Sequence, residues 1–222
     1  MGQILLVRHG QASFGAEDYD VLSETGWAQG RQLGAWLAER GTVPTATIRG
    51  DLRRHRETLD AMVEGAGWSG IETETDAGWD EFDHLGVVAS YPDLPEGDLD
   101  RRGFQEVFER ATARWISGRH HGYPETYVEF VTRVRAALDR AGAAAGPGGV
   151  VVVVSSGGPI AAACAALIDP DGDDPGQARL WQRFNTVTVN SSVTRVVVGS
   201  TGPRLLTFNE HGHLAPDTLT YR

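Results

Sequence analysis

The sequence predicts an α/β fold: a three-layer sandwich with a mainly parallel sheet, helices on both faces and a small helical insertion. Three observations carry this expectation. Short β-branched runs alternate with longer stretches of helical period. Two of the runs, Ile4–Val7 and Val150–Val154, are apolar without interruption, as in strands buried on both faces. The alternation breaks over residues 84–124, a stretch of different character.

Taken in order, strands are expected at residues 3–8, 45–49, 71–74, 149–155, 193–198 and 204–208, from their β-branched content and flanking turn residues. Residues 25–40 set Trp27, Gly30, Leu33, Gly34 and Leu37 on one helical face. Residues 126–145 do the same with Tyr127, Phe130, Val134, Leu138 and Ala141. The insertion combines a Pro/Gly-rich entry around Pro92 and Pro95 with an amphipathic stretch bearing Phe104, Val107, Phe108, Ala111 and Trp115. It closes at Gly118–Pro124 and reads as helical, lying over the sheet's carboxyl edge. An unrelated surface excursion is the alternative, since long insertions cost little chain entropy. Residues 141–149, crowded with glycine and alanine, read as a loop too short to link domains.

At 222 residues, with 41% hydrophobic content and six tryptophans, residues 1–222 form one domain with a substantial core. A formal net charge of −10 argues against nucleic acid or anionic membrane as a partner. The single cysteine, Cys164, sits among alanines and reads as a small buried residue rather than a nucleophile. One cysteine forms no intrachain disulfide, which favours a reducing compartment. No apolar run approaches the ~20 residues of a membrane span, and no signal-peptide pattern precedes the first strand. The expectation is a soluble, cytoplasmic protein whose oligomeric state the sequence leaves open.

The first strand stops at Arg8-His9-Gly10. Open α/β sheets bind ligands at the carboxyl ends of their strands, so these residues are delivered where chemistry is done. An arginine fork binds phosphoryl oxygens, a neutral imidazole attacks phosphorus, and glycine lets an anion approach the backbone. An ordinary strand end with a surface histidine would also fit the tripeptide alone.

Longer motifs narrow the choice. Leu22-Ser23-Glu24-Thr25-Gly26 precedes the first helix, and Leu52, Arg54 and Thr58 follow at fixed spacing within Asp51–Thr58. In this order they resemble the histidine phosphatase superfamily, also called the phosphoglycerate mutase-like family. The resemblance covers most of the amino-terminal half. It implies that His9 is the nucleophile and that Arg8 and Arg54 bind phosphate, Arg54 near a helix amino terminus that adds positive field. It further implies a proton donor soon after the third strand, within Asp76–His84. Glu81 fits best, with Asp80 and Asp83 as rivals; the apolar neighbours Trp79 and Phe82 favour a protonated carboxyl there. Residues 84–124 then correspond to a substrate-selecting cap.

One position departs from the family pattern. Where relatives end the buried strand in a histidine followed by two glycines, this chain has Ser155-Ser156-Gly157-Gly158-Pro159. The glycine amides still open a helix, with Pro159 suited to its first turn, so Ser156 and Gly157 remain phosphate-binding candidates. Exchanging a charge-assisted donor for a hydroxyl removes on the order of 1–3 kcal/mol, about 10- to 100-fold in rate. With the pocket otherwise intact, Ser156→His is expected to raise turnover. Replacement by another histidine is disfavoured: His55 adjoins Arg54, and neighbours on a helix point apart. His213, near the end of Asn209–Leu214, corresponds to a residue that is structural in the family. No metal or cofactor is implied.

The sequence thus reads as a phosphomonoester hydrolase acting on a small phosphorylated metabolite through phosphohistidine. A phospho-ligand-binding protein with little catalysis is the first alternative, because of Ser156. Mutase chemistry is the second, although the only further basic clusters are Arg101-Arg102 and Arg119-His120-His121. A serine hydrolase with Ser156 at a nucleophile elbow, followed by Asp169–Asp174 and His211 or His213, leaves Arg8-His9-Gly10 unexplained.

Overall fold

In the computed structural model, which describes residues 1–13, 20–95, 97, 100–172 and 174–221 (of Arg101 and Asp174 only the backbone), a six-stranded sheet forms the middle layer. Its strands are β1 (Gly2–Arg8), β2 (Ala46–Arg49), β3 (Thr73–Thr75), β4 (Val150–Ser155), β5 (Val193–Gly199) and β6 (Gly202–Glu210), in the order β3-β2-β4-β1-β5-β6. Strands β3, β2, β4 and β1 run parallel, as expected. Strand β5 is antiparallel to both β1 and β6, so the sheet is mixed.

The unbroken apolar runs follow from a sheet covered on both faces. Ile4, Leu6, Val151 and Val153 face one core with Trp79, Phe82, Trp115, Phe130 and Trp181. Leu5, Val7, Val152 and Val154 face a second core with Leu33, Leu37, Leu59 and Met62. Successive strand residues point to opposite faces, so both sets must be apolar when neither face meets water.

Helices α1 (Glu24–Glu39) and α2 (Arg53–Ala66) cover the second face. The inward face of α1 carries Gln29 where Trp27 was expected; Trp27 is half-buried under Arg31. The other layer comprises α3 (His84–Ala89), α4 (Arg101–Ile116), α5 (Tyr127–Ala145), α6 (Gly157–Ile168) and α7 (Asp174–Val187). Helix α5 starts with a reciprocal Thr126–Glu129 cap and buries Tyr127, Phe130, Val134, Leu138 and Ala141 as its period requires. It continues to Ala145, so only residues 146–149 of the glycine- and alanine-rich stretch remain a loop.

The insertion is helical over α3 and α4; residues 96, 98 and 99, like Phe14 and Gly15 after the first motif, lie outside the described residues. Trp115 of α4 stacks on Phe82 with ring centroids 4.7 Å apart, tying the insertion to the segment after β3. Cys164 is fully buried in α6, and burial pushes its thiol up to about 12, which keeps it inert. Among the described residues no helix is long and apolar enough to cross a membrane.

Candidate active site

Parallel strands that end in register deliver their next residues to one edge. Arg8 pairs with Ser155 and Arg49 with Val154, so His9, Gly50 and Ser156 leave the sheet close together. Helix α6 begins directly after Ser156, and α2 begins at Arg53. Two helix amino termini therefore open on this edge, a natural seat for an anion.

His9 is 6% exposed, and its Nδ1 lies 2.7 Å from the Gly10 carbonyl oxygen. A carbonyl only accepts, so Nδ1 carries the proton and Nε2 keeps a lone pair. Burial, then Arg54, Arg8 and His55, hold its pKa well below the ordinary value despite the Gly10 carbonyl. The ring is neutral at pH 7, as a nucleophile must be. Its backbone is fixed as well. The His9 amide donates to Ser155 O at 2.8 Å, and Asn190 Nδ2 donates to the His9 carbonyl at 3.1 Å. Thr58 Oγ1 accepts from Gly10 N at 3.0 Å and donates to Arg54 O at 2.7 Å, tying α2 to the loop that follows β1.

Arg54 is buried, with Nη1 2.7 Å from Asp20 Oδ1 and Nη2 3.5 Å from Ser156 Oγ. Arg8 runs past the start of α6, its Nε 3.7 Å from where a Gly157 side chain would begin. Its Nη1 donates to the carbonyls of Thr188 and Tyr221. The three carboxylates after β3 separate by task. Asp83 caps α3, accepting from Gly86 N at 2.8 Å. Asp80 turns toward α2, where Oδ1 accepts from Asp51 N at 2.7 Å. Burial raises its carboxyl pKa, against the Asp51 and Leu52 amides and Arg133, which lower it. Glu81 lies on the amino terminus of α6, with Oε2 3.2 Å from Gly158 N and Oε1 3.1 Å from Phe82 N.

The fold thus brings His9, Arg54 and Ser156 together, sets Arg8 beside Gly157, and joins Glu81 to the same helix end. It corrects one inference about this pocket. His55 does not point away: its Nε2 is 2.8 Å from Ser156 Oγ, and its ring centroid is 5.8 Å from that of His9. The histidine reaching Ser156 is neither His211, whose Nδ1 bonds Asn209 O at 2.6 Å, nor His213, which packs on Trp36. Sequence reasoning also missed Asp20 and Asn190. A polar Asn190-Ser191-Ser192 run immediately before β5 was the available signal for the second. Among the described residues, no group of three or more His, Cys, Asp or Glu side chains is arranged to hold a metal ion.

Residues 4–211 match the histidine phosphatase superfamily (branch 1). The chain belongs to this superfamily. A 2,3-bisphosphoglycerate-dependent phosphoglycerate mutase of Methylorubrum extorquens is 31% identical over 130 residues, 56% of this chain and 54% of the mutase. The chain therefore matches only about half the length of that curated relative. Among solved structures, this histidine phosphatase superfamily member is similar to a mycobacterial glucosyl-3-phosphoglycerate phosphatase complexed with VO3. The TM-score is 0.68 at 22% identity, over 95% of this chain and 100% of that one. A phosphoserine phosphatase mutant from Entamoeba histolytica, in complex with phosphoserine, aligns with a TM-score of 0.65 at 18% identity, over 97% and 100%. At these identities the structural likeness speaks for the superfamily fold.

Proposed function

We propose that the chain is a phosphomonoester hydrolase that acts on a small phosphorylated metabolite in the cytoplasm through phosphohistidine at His9. The observation that carries it is the state of His9: buried, neutral, with its Nε2 lone pair available beside Arg54. In the proposed reaction Nε2 attacks phosphorus, the ester P–O bond breaks, and Glu81 gives its proton to the departing oxygen. Glu81 then takes a proton from water, which attacks the phosphohistidine and releases orthophosphate. Arg8 and Arg54 neutralise the phosphoryl oxygens, while the Ser156 hydroxyl and Gly157 amide donate hydrogen bonds to them. Helices α3 and α4 act as the cap that selects the alcohol portion of the substrate.

Mutase activity is the second reading, favoured by the name of the curated relative. It requires a second phosphate position shielded from water, whereas Arg119, His120 and His121 are all exposed. Hydrolysis is therefore preferred. Rapid quenching with labelled substrate should yield an acid-labile, base-stable phosphoprotein that His9→Ala abolishes. Label that survives acid, or persists in the variant, would sink the mechanism. Phosphate binding with neither label nor turnover would instead favour a phospho-ligand-binding protein.

A further inference from the structure

His55 is buried beside the pocket, yet the reaction scheme gives it no task. It is fully buried on the first turn of α2, where an imidazole without a partner would be costly. Its Nε2 is 2.8 Å from Ser156 Oγ, the same oxygen that Arg54 Nη2 approaches at 3.5 Å. Its Nδ1 faces Asp80 Oδ1 at 3.8 Å. Gly50, at the end of β2, leaves room for both groups: a Cβ there would lie 2.3 Å from Nδ1 and 2.5 Å from Oδ1. Ser156, although first in line to cap α6, makes no capping bond with its side chain. Its hydroxyl is instead held by α2, across the pocket entrance from α6.

We propose that His55 is a positioning residue for phosphoryl transfer, supplying an imidazole from α2 through the Ser156 hydroxyl at the end of β4. The inference rests on the phosphatase reading of the same pocket. With Nε2–H donating to Ser156 Oγ, the hydroxyl's own proton is left for a phosphoryl oxygen. An anionic oxygen at the end of that chain favours the arrangement in which every member donates toward it. In the empty pocket His55 is neutral, its pKa held well below the ordinary value by burial and then by Arg54 and Arg49. The groups facing the ring are Arg54 on its own helix, Arg49 from β2, His9 after β1, Ser156 after β4 and Asp80 after β3. Asp80 alone among them is acidic, and it lies on the Nδ1 side.

On this proposal Ser156→His lowers turnover, whereas the sequence alone led to the expectation of a gain. Ser156 and His55 are both 0% exposed, so a second ring at position 156 would compete for the volume His55 fills. The decisive experiment moves the imidazole between elements. His55→Ala, Ser156→His, the double variant and His55→Gln are compared with wild type for p-nitrophenyl phosphate hydrolysis and orthophosphate affinity. Circular dichroism and melting temperature confirm folding.

Each of His55→Ala and Ser156→His should lower kcat about 10- to 100-fold. His55→Gln, whose amide can reach the Nε2 position, should retain part of the activity. The double variant should recover at least tenfold over either single variant. A double variant whose loss equals the product of the single losses, or a Ser156→His variant more active than wild type, overturns the proposal. So does a loss that tracks melting temperature alone. If wild type does not hydrolyse the ester, or His9→Ala still does, the phosphatase reading fails. Orthophosphate affinities across the same variants then decide whether His55 and Ser156 act as a pair. Absence of phosphate binding by wild type overturns both.

Discussion

Gly158→Ala should separate the proposed general acid from everything else in the pocket. A Cβ at Gly158 would sit 2.1 Å from Glu81 Oε1, 3.0 Å from its carboxyl carbon and 3.3 Å from Phe82 Cδ1. The overlap falls on the end of a flexible side chain, so the carboxylate swings away and its 3.2 Å bond from Gly158 N is lost. Gly158 lies in α6 without a positive φ, so alanine fits its backbone and stabilises by about 0.4–1 kcal/mol. Loss of the hydrogen bond to a carboxyl that carries the proton costs about 0.5–1.5 kcal/mol. The two effects nearly cancel, leaving a change between a gain of about 0.5 and a loss of about 1.1 kcal/mol, a melting-point shift of at most about 4 °C. General acid catalysis is worth about 10²–10⁴-fold, and it matters most for poor leaving groups. Hydrolysis of an alkyl phosphate should therefore fall at least ~100-fold, while p-nitrophenyl phosphate, whose leaving group needs little protonation, changes only several-fold. Glu81→Gln should show the same selectivity without the added methyl. Equal losses on both esters, with the fold intact, would refute the placement of the general acid at Glu81.

Two other outcomes follow from the charges around the pocket. His9, His55 and His213 are held neutral when folded, His213 with a pKa pushed down to about 4 chiefly by burial, so the unfolded chain binds more protons in mild acid. Stability should be full above pH ~6.5 and fall as pH drops below it, His213 alone contributing on the order of 2 kcal/mol by pH 5. Urea unfolding at pH 5 and 7 checks this, and a His213→Gln variant with an unaltered pH slope would contradict it. Asp20 pairs with Arg54 at 2.7 Å and accepts from Arg53 N at 2.7 Å, capping α2 from outside the helix. Asp20→Asn keeps an acceptor but removes the anion, so orthophosphate should bind several-fold tighter by calorimetry; weaker binding would mean the charge is needed to aim Arg54.

The sequence already made the central sheet legible, because Ile4–Val7 and Val150–Val154 have no polar position for either face. The antiparallel end was not anticipated, although the gap between the expected strands at 193–198 and 204–208 is too short for a parallel crossover between those two. His9, Arg54 and Ser156 were expected in one pocket from the resemblance to the superfamily. His55 was misjudged because helix geometry was applied to the side of a helix, while this helix meets the pocket end-on. Neighbours about 100° apart can then both reach Ser156. Asp20 carried no signal, since a loop residue gains meaning only when folding brings it 34 positions along the chain to Arg54.

The sheet also partitions the labour of the pocket. His9 is braced by Thr58, Arg54 and His55 from the layer containing α1 and α2, whereas Glu81, Phe82 and Gly158 are braced from the layer containing Trp115 and Trp181. Among the described residues the two apolar cores form separate clusters on opposite faces of the sheet. Substitutions around Glu81 and Phe82 can therefore accumulate while the packing around His9 stays as it was. On the proposed reaction, a fold divided in this way could exchange one substrate for another without rebuilding the surroundings of His9.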